Sequence, residues 1–67
     1  MSLTWTDVRA IAIALAAAHP GVAPLGVRFA DLHRWVCELE GFTSDPERSN
    51  EQVLEAIQMA WLDEVEE

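Results

Sequence analysis

The sequence predicts an all-α fold, a small three-helix bundle. Apolar residues recur at helical spacing in three separate stretches, and each stretch is bounded by a capping or breaking signal. No run alternates polar and apolar residues for long enough to pair as a strand. The chain has 67 residues, 51% of them hydrophobic and 24% charged. That composition is globular rather than disordered, and the length suits one helical domain over residues 1–67.

The first helix is expected from Trp5 or Thr6 to Ala18. Thr4 with Asp7 three residues on resembles a capping box. Val8, Ile11, Ala12 and Leu15 share one face, and the alanines raise helix propensity. Ile13 points the other way, towards solvent or a partner. His19-Pro20-Gly21 ends the helix, because the residue before a proline is driven out of the helical region. The apolar stretch from Ala10 to Ala18 also looks like a signal-peptide core, with Ala16-Ala17-Ala18 as a small-residue site. However, Asp7 and Arg9 cancel where a signal carries net positive charge. Its nine residues also fall far short of the ~20 a membrane helix needs.

Residues 20–28 are expected to be a connector punctuated by Pro20, Gly21, Pro24 and Gly26, with Val22, Leu25 and Val27 tucked into the core. A second helix should run from Ala30 to Glu40. Asp31 in its first turn opposes the macrodipole, and Leu32, Trp35, Val36 and Leu39 make its stripe. Gly41 suits a left-handed C-terminal cap, with Phe42 folding back on the last turn. Thr43-Ser44-Asp45-Pro46 forms a turn. Ser49 with Gln52 three residues later reads as the capping box of the third helix. Its stripe is Val53, Leu54, Ile57, Ala60 and Trp61, with Glu51 and Glu55 outside. The acidic tail from Asp63 is disfavoured at a helix C-terminus and should fray. Trp5, Phe29, Trp35, Phe42, Ile57 and Trp61 are the expected centre of the bundle.

Charge narrows the function. Twelve acidic residues face four arginines, a net charge of −8. That balance speaks against nucleic acid, whose phosphates need basic residues in excess, and against an acidic membrane surface. The single Cys excludes an intramolecular disulfide and fits a reducing cytoplasm. So short a chain leaves little room for an enclosed active site, and an enzyme is not expected. The charge is also uneven. Residues 1–34 carry three Arg against two Asp, net +1, whereas residues 35–67 carry one Arg against ten acids, net −9.

Three constellations could carry chemistry. His33 and Cys37 stand at i, i+4, so their side chains can meet, but a nucleophile needs an orienting group, oxyanion donors and a pocket as well. One Cys and two His also fall short of a closed zinc site. The three Trp residues lie on or beside apolar stripes and read as core. The acids are the better lead. Glu38, Glu40, Asp45 and Glu47 cluster around the end of the second helix and the following turn, with Glu51 and Glu55 next on the third. Carboxylates suit hard cations such as Ca²⁺, Mg²⁺, Mn²⁺ or iron, although the spacing is not that of an EF-hand. A solvated, solubilising face explains the same residues.

End to end, the chain resembles the IscX family of small acidic iron–sulfur cluster assembly proteins. The resemblance lies in Trp5-Thr6-Asp7, Val27-Arg28-Phe29, Asp31-Leu32-His33 with Trp35, and Leu39-Glu40 with Phe42. It continues through Asp45-Pro46, Ser49-Asn50-Glu51, Leu54-Glu55-Ala56-Ile57 and Trp61-Leu62-Asp63-Glu64. No one of these motifs is diagnostic, but their ordered spacing is specific. The resemblance implies a winged-helix-like helical bundle that is not an enzyme. It also implies weak iron binding through acidic residues and binding to the cysteine desulfurase, and to other cluster-assembly proteins.

On that resemblance the expected iron ligands are Glu38, Glu40, Asp45 and Glu47, with Asp63 and Glu64 as a second set. The expected partner-binding residues are Asp7, Arg9, Arg28, Asp31, Arg34, Glu51 and Glu55. The chain departs from the family pattern at Gly41, Thr43 and Ser44, where relatives tend to be acidic. It departs again at Ala10, Ile13 and Ala17, where acids or polar groups are usual. Fewer acidic ligands weight the expectation towards a protein partner rather than iron. The competing expectation is a generic helical interaction module with no metal role, docking through the exposed apolar side of the first helix near Ile13.

Overall fold

The computed structural model describes residues 3–66. Three α-helices, α1 (Val8–Ala18), α2 (Phe29–Cys37) and α3 (Glu51–Glu66), are separated by short 3₁₀ turns at Pro24–Gly26 and Pro46–Arg48. The all-α bundle is as expected. A wing would be a strand hairpin. Among the described residues, however, extended backbone pairs at an isolated parallel bridge between Leu3 and Phe42, which does not support a winged-helix likeness. No described helix is long and apolar enough to cross a membrane.

Each boundary has a local cause. At the first, Asp7 Oδ2 accepts hydrogen bonds from Thr4 N at 3.0 Å and Thr4 Oγ1 at 3.2 Å. The carboxylate thus supplies the reach-back half of a capping box. The chain turns tightly over residues 4–7, with Asp7 N on Thr4 O at 2.9 Å, and regular helix starts at Val8, later than expected. The far end is as expected: α1 stops at Ala18, His19 N closes on Leu15 O at 2.8 Å, and Gly21 has φ +83°.

In the connector, Pro24 is buried and Leu25 is 64% exposed, so the expectation that Leu25 fills the core is corrected. The three-residue 3₁₀ turn sends neighbouring side chains in different directions, and the proline ring takes the inward one. Gln58 of α3 pins this turn, donating to Pro24 O at 2.8 Å.

Helix α2 begins one residue early and ends at Cys37 rather than Glu40. Leu39 N bonds to Val36 O at 3.1 Å and Phe42 N to Leu39 O at 3.1 Å. These tight turns replace the last helical turn, and Gly41 at φ +87° reverses the chain. The reversal brings Phe42 beside the N-terminal segment, where Leu3 N bonds to Gly41 O at 2.7 Å and Thr43 N to Leu3 O at 2.9 Å.

The N-cap of α3 is Asn50, not Ser49. Asn50 Oδ1 accepts from Val53 N at 2.9 Å, while Ser49 Oγ donates to Pro46 O at 3.3 Å and is spent on the preceding turn. At the other end the helix continues through Glu66, past the point where fraying was expected. Arg9 reaches Glu64 at 2.8 Å and sets a cation beside that acidic terminus, where the helix dipole favours one.

The core gathers Leu3 and Trp5 with Ile11, Ala12 and Leu15 of α1, Leu32 and Val36 of α2, and Leu54, Ile57 and Trp61 of α3. Of the expected centre of the bundle, Trp5, Ile57 and Trp61 are buried. Phe29, Trp35 and Phe42 are only half-buried and pack around them. Trp61, the largest fully buried side chain, meets Trp35 edge-on at 6.2 Å. Trp35 in turn stacks on His19 at 4.2 Å, which ties the end of α1 to α2.

Candidate functional site

The acidic turn after α2 is held from two sides. Trp5 Nε1 donates to Asp45 O at 2.7 Å, and His33 Nε2 bonds to Pro46 O at 2.7 Å. A carbonyl can only accept, so His33 Nε2 carries a proton. The His33 ring stacks on Trp5 at 5.5 Å, and Trp5 meets Phe42 edge-on at 4.9 Å. Sequence separates these residues widely. The fold joins them into one latch that carries Asp45 and Glu47.

Within the turn, Asp45 Oδ1 accepts from Glu47 N at 2.9 Å and caps the 3₁₀ segment. Glu38, Glu40, Asp45 and Glu47 are all exposed. Glu38 adjoins the thiol of Cys37. Glu40 instead lines a groove against α1 with Leu3, Ala10, Ile13, Ala14 and Ala17. Of the second expected iron set, Asp63 is exposed and Glu64 is held by Arg9. Among the described residues, no three His, Cys, Asp or Glu side chains gather closely enough to surround an ion. The residues therefore do not form a cage for a resident iron. One Asp45 oxygen is committed to the backbone, and Glu64 to an arginine.

The residues expected to bind a partner fall on all three helices. Asp7 and Arg9 mark the start of α1, beside the end of α3. Arg28 precedes α2, whose outer face pairs Arg34 with Asp31 at 3.7 Å. Glu51 and Glu55 lie exposed along α3. Glu55 borders a second open groove with Gln52, Ala56 and Met59. The sequence reading missed that groove, although Gln52, Glu55, Ala56 and Met59 stand at i, i+3, i+4 and i+7.

The Cys37–His33 pair has the wrong electrostatics for a nucleophile. Cys37 Sγ lies 4.0 Å from His33 Nδ1. Burial pushes the thiol above its ordinary pKa, and the Glu38 carboxylate pushes it further the same way. A catalytic thiol requires the opposite shift.

Comparison with known proteins agrees with the whole-chain pattern of these residues. An uncharacterized protein of Pseudomonas aeruginosa is 59% identical over 64 residues, covering 96% of this chain and 97% of that protein. Residues 3–66 match the family described as iron-sulphur cluster assembly. With the latch residues, the acidic turn and α3 all inside that match, the chain belongs to the IscX-like family of iron–sulphur cluster assembly proteins.

Proposed function

We propose that this protein is a non-catalytic cytoplasmic adaptor or regulator of iron–sulphur cluster assembly, which docks through its acidic surface on a basic patch of the cysteine desulfurase. The observation that supports this reading is the distribution of charge. Ten acids fall in residues 35–67 against one arginine. Among the described residues, no ion pair engages Glu38, Glu40, Asp45, Glu47, Glu51 or Glu55. Carboxylates left free in water are available to a basic partner and give fast, salt-sensitive association. The latch from Trp5 and His33 holds Asp45 and Glu47 in a defined place, which lowers the ordering cost of docking.

Iron enters this reading as loosely held cargo on single carboxylates of the sets Glu38, Glu40, Asp45, Glu47 and Asp63, Glu64, the last of which it would have to share with Arg9. Titrating the protein into its cognate desulfurase at two ionic strengths tests the docking. Binding that weakens with salt is expected, and no binding at low salt overturns the proposal. For iron, broadening of amide signals by Fe²⁺ should centre on one acidic set. Uniform broadening, or none, leaves the acids as a solvated face.

A generic interaction module with no metal role is the second reading. It is favoured by Ile13, which is 51% exposed on a helix that carries no charge after Arg9. A complex that persists at high salt and without iron would select it.

A further inference from the structure

We propose that the outer face of α1 is a docking surface for an amphipathic helix of a partner that carries Lys or Arg beside its apolar stripe. The inference deepens the Ile13-face reading above and rests on it. It shares only Glu40 with the acidic surface, so desulfurase docking through the other carboxylates does not depend on it.

Helix α1 buries Ile11, Ala12 and Leu15 on the core. A surface helix ordinarily turns charged and polar residues to the opposite side, and a helix that is apolar all round is normally covered all round. From Ala10 to Ala18, α1 holds no charged or polar residue at all. Its outward face, Ala10, Ile13, Ala14 and Ala17, forms with Leu3 and Glu40 an open groove of about 370 Å³, and no described residue covers it.

The lining specifies the occupant. Ala10, Ala14 and Ala17 are small and spaced about one turn apart, so a second helix can approach at ~8 Å with its larger side chains resting between them. Ile13 and Leu3 supply the apolar contacts. Glu40 is the one ionisable group in the wall. Among the described residues no cation pairs with it. A lysine or arginine leaving the apolar stripe of an incoming helix can lay its aliphatic stem on the groove and end on that carboxylate. A second copy of this chain offers no lysine, and the one arginine of its own first helix, Arg9, is already paired with Glu64, so a dimer is the competing outcome of the test.

The test uses the full-length protein and a synthetic amphipathic peptide of ~15 residues, long enough to cover α1. The peptide carries Leu and Ala on one face and Lys on both flanks. Amide shift changes should concentrate at Ala10, Ile13, Ala14, Ala17 and Glu40. Ile13→Glu alters an exposed position and should leave the melting temperature close to the parent's. It should weaken the peptide about tenfold or more, because apolar burial is replaced by a stranded charge. Replacing the peptide's Lys with Glu should cost about two- to fivefold, and Glu40→Lys should restore binding of that acidic peptide. Shift changes centred on Gln52, Glu55 and Met59 would overturn the proposal. So would an Ile13→Glu variant that binds undiminished, failure of the charge swap, or a dimer of the free protein in sedimentation equilibrium.

Discussion

His33 is the side chain through which the latch can be measured. His33→Ala removes two interactions at once: the 2.7 Å hydrogen bond to Pro46 O and the 5.5 Å stack on Trp5. A hydrogen bond near the surface contributes about 0.5–1 kcal/mol, the low end of the usual range. A stacked ring pair adds about 0.5–1.5 kcal/mol beyond its area. His33→Ala should therefore cost about 1–2.5 kcal/mol. His33→Phe keeps a ring against Trp5 but loses the donor, so it should cost about half as much. Total stability for a chain of this size is about 3–10 kcal/mol. At 4–8 °C per kcal/mol, the alanine variant should melt roughly 4–20 °C lower.

The assay is thermal and urea unfolding by far-UV circular dichroism, paired with hydrogen exchange at Glu47 N–H. That amide donates to Asp45 Oδ1 inside the latched turn. If the latch positions the acidic turn, Glu47 exchange should quicken in both variants, because both lose the bond to Pro46. Equal stabilities for the alanine and phenylalanine variants would refute the stacking part. Unchanged Glu47 exchange would refute the claim that His33 holds the turn.

Four further outcomes follow from the same structure. Trp61 has no exposed surface, and its Nε1 has no hydrogen-bond partner. Trp61→Ala should cost about 3–5 kcal/mol and leave the chain largely unfolded in urea titration, whereas Trp61→Phe should cost markedly less, since it also removes the orphaned donor. Burial and Glu38 raise the folded-state pKa of Cys37 above its unfolded value, so its contribution to stability is present below the unfolded thiol pKa and is lost as pH rises through the folded one. Denaturation across the alkaline range should show a decline in the parent that Cys37→Ala reduces. Gly41 sits at φ +87°, so Gly41→Ala should destabilise by about 1–2 kcal/mol. Gly26 has no such constraint, and an added Cβ there meets nothing within 4 Å. Gly26→Ala should be neutral or stabilise by up to about 1 kcal/mol in the same melts.

Much of the bundle was legible from periodicity. Ile11, Ala12 and Leu15, then Leu32 and Val36, then Leu54, Ile57 and Trp61 were all assigned to inward faces and all are buried. The misreadings sit at ends and turns. Ser49 and Asn50 are both good N-caps, and which one caps depends on the preceding 3₁₀ turn, which takes the Ser49 hydroxyl. Helix α2 had the propensity to continue to Glu40, but pairing between Leu3 and Phe42 required the chain to reverse sooner.

For the candidate site, the sequence by itself determined the chemistry available. The chain carries a surplus of carboxylates in its second half, a single thiol and a first helix without charge after Arg9. Charge and hydropathy are properties of residue order and survive any arrangement of the chain. Only the tertiary structure decided how those groups are spent. It turned Glu40 towards α1, committed Glu64 to Arg9, and closed Trp5 and His33 over the acidic loop. Those assignments join residues up to 55 apart in sequence. They depend on where packing of α1 against α3 places each backbone, which no local pattern encodes.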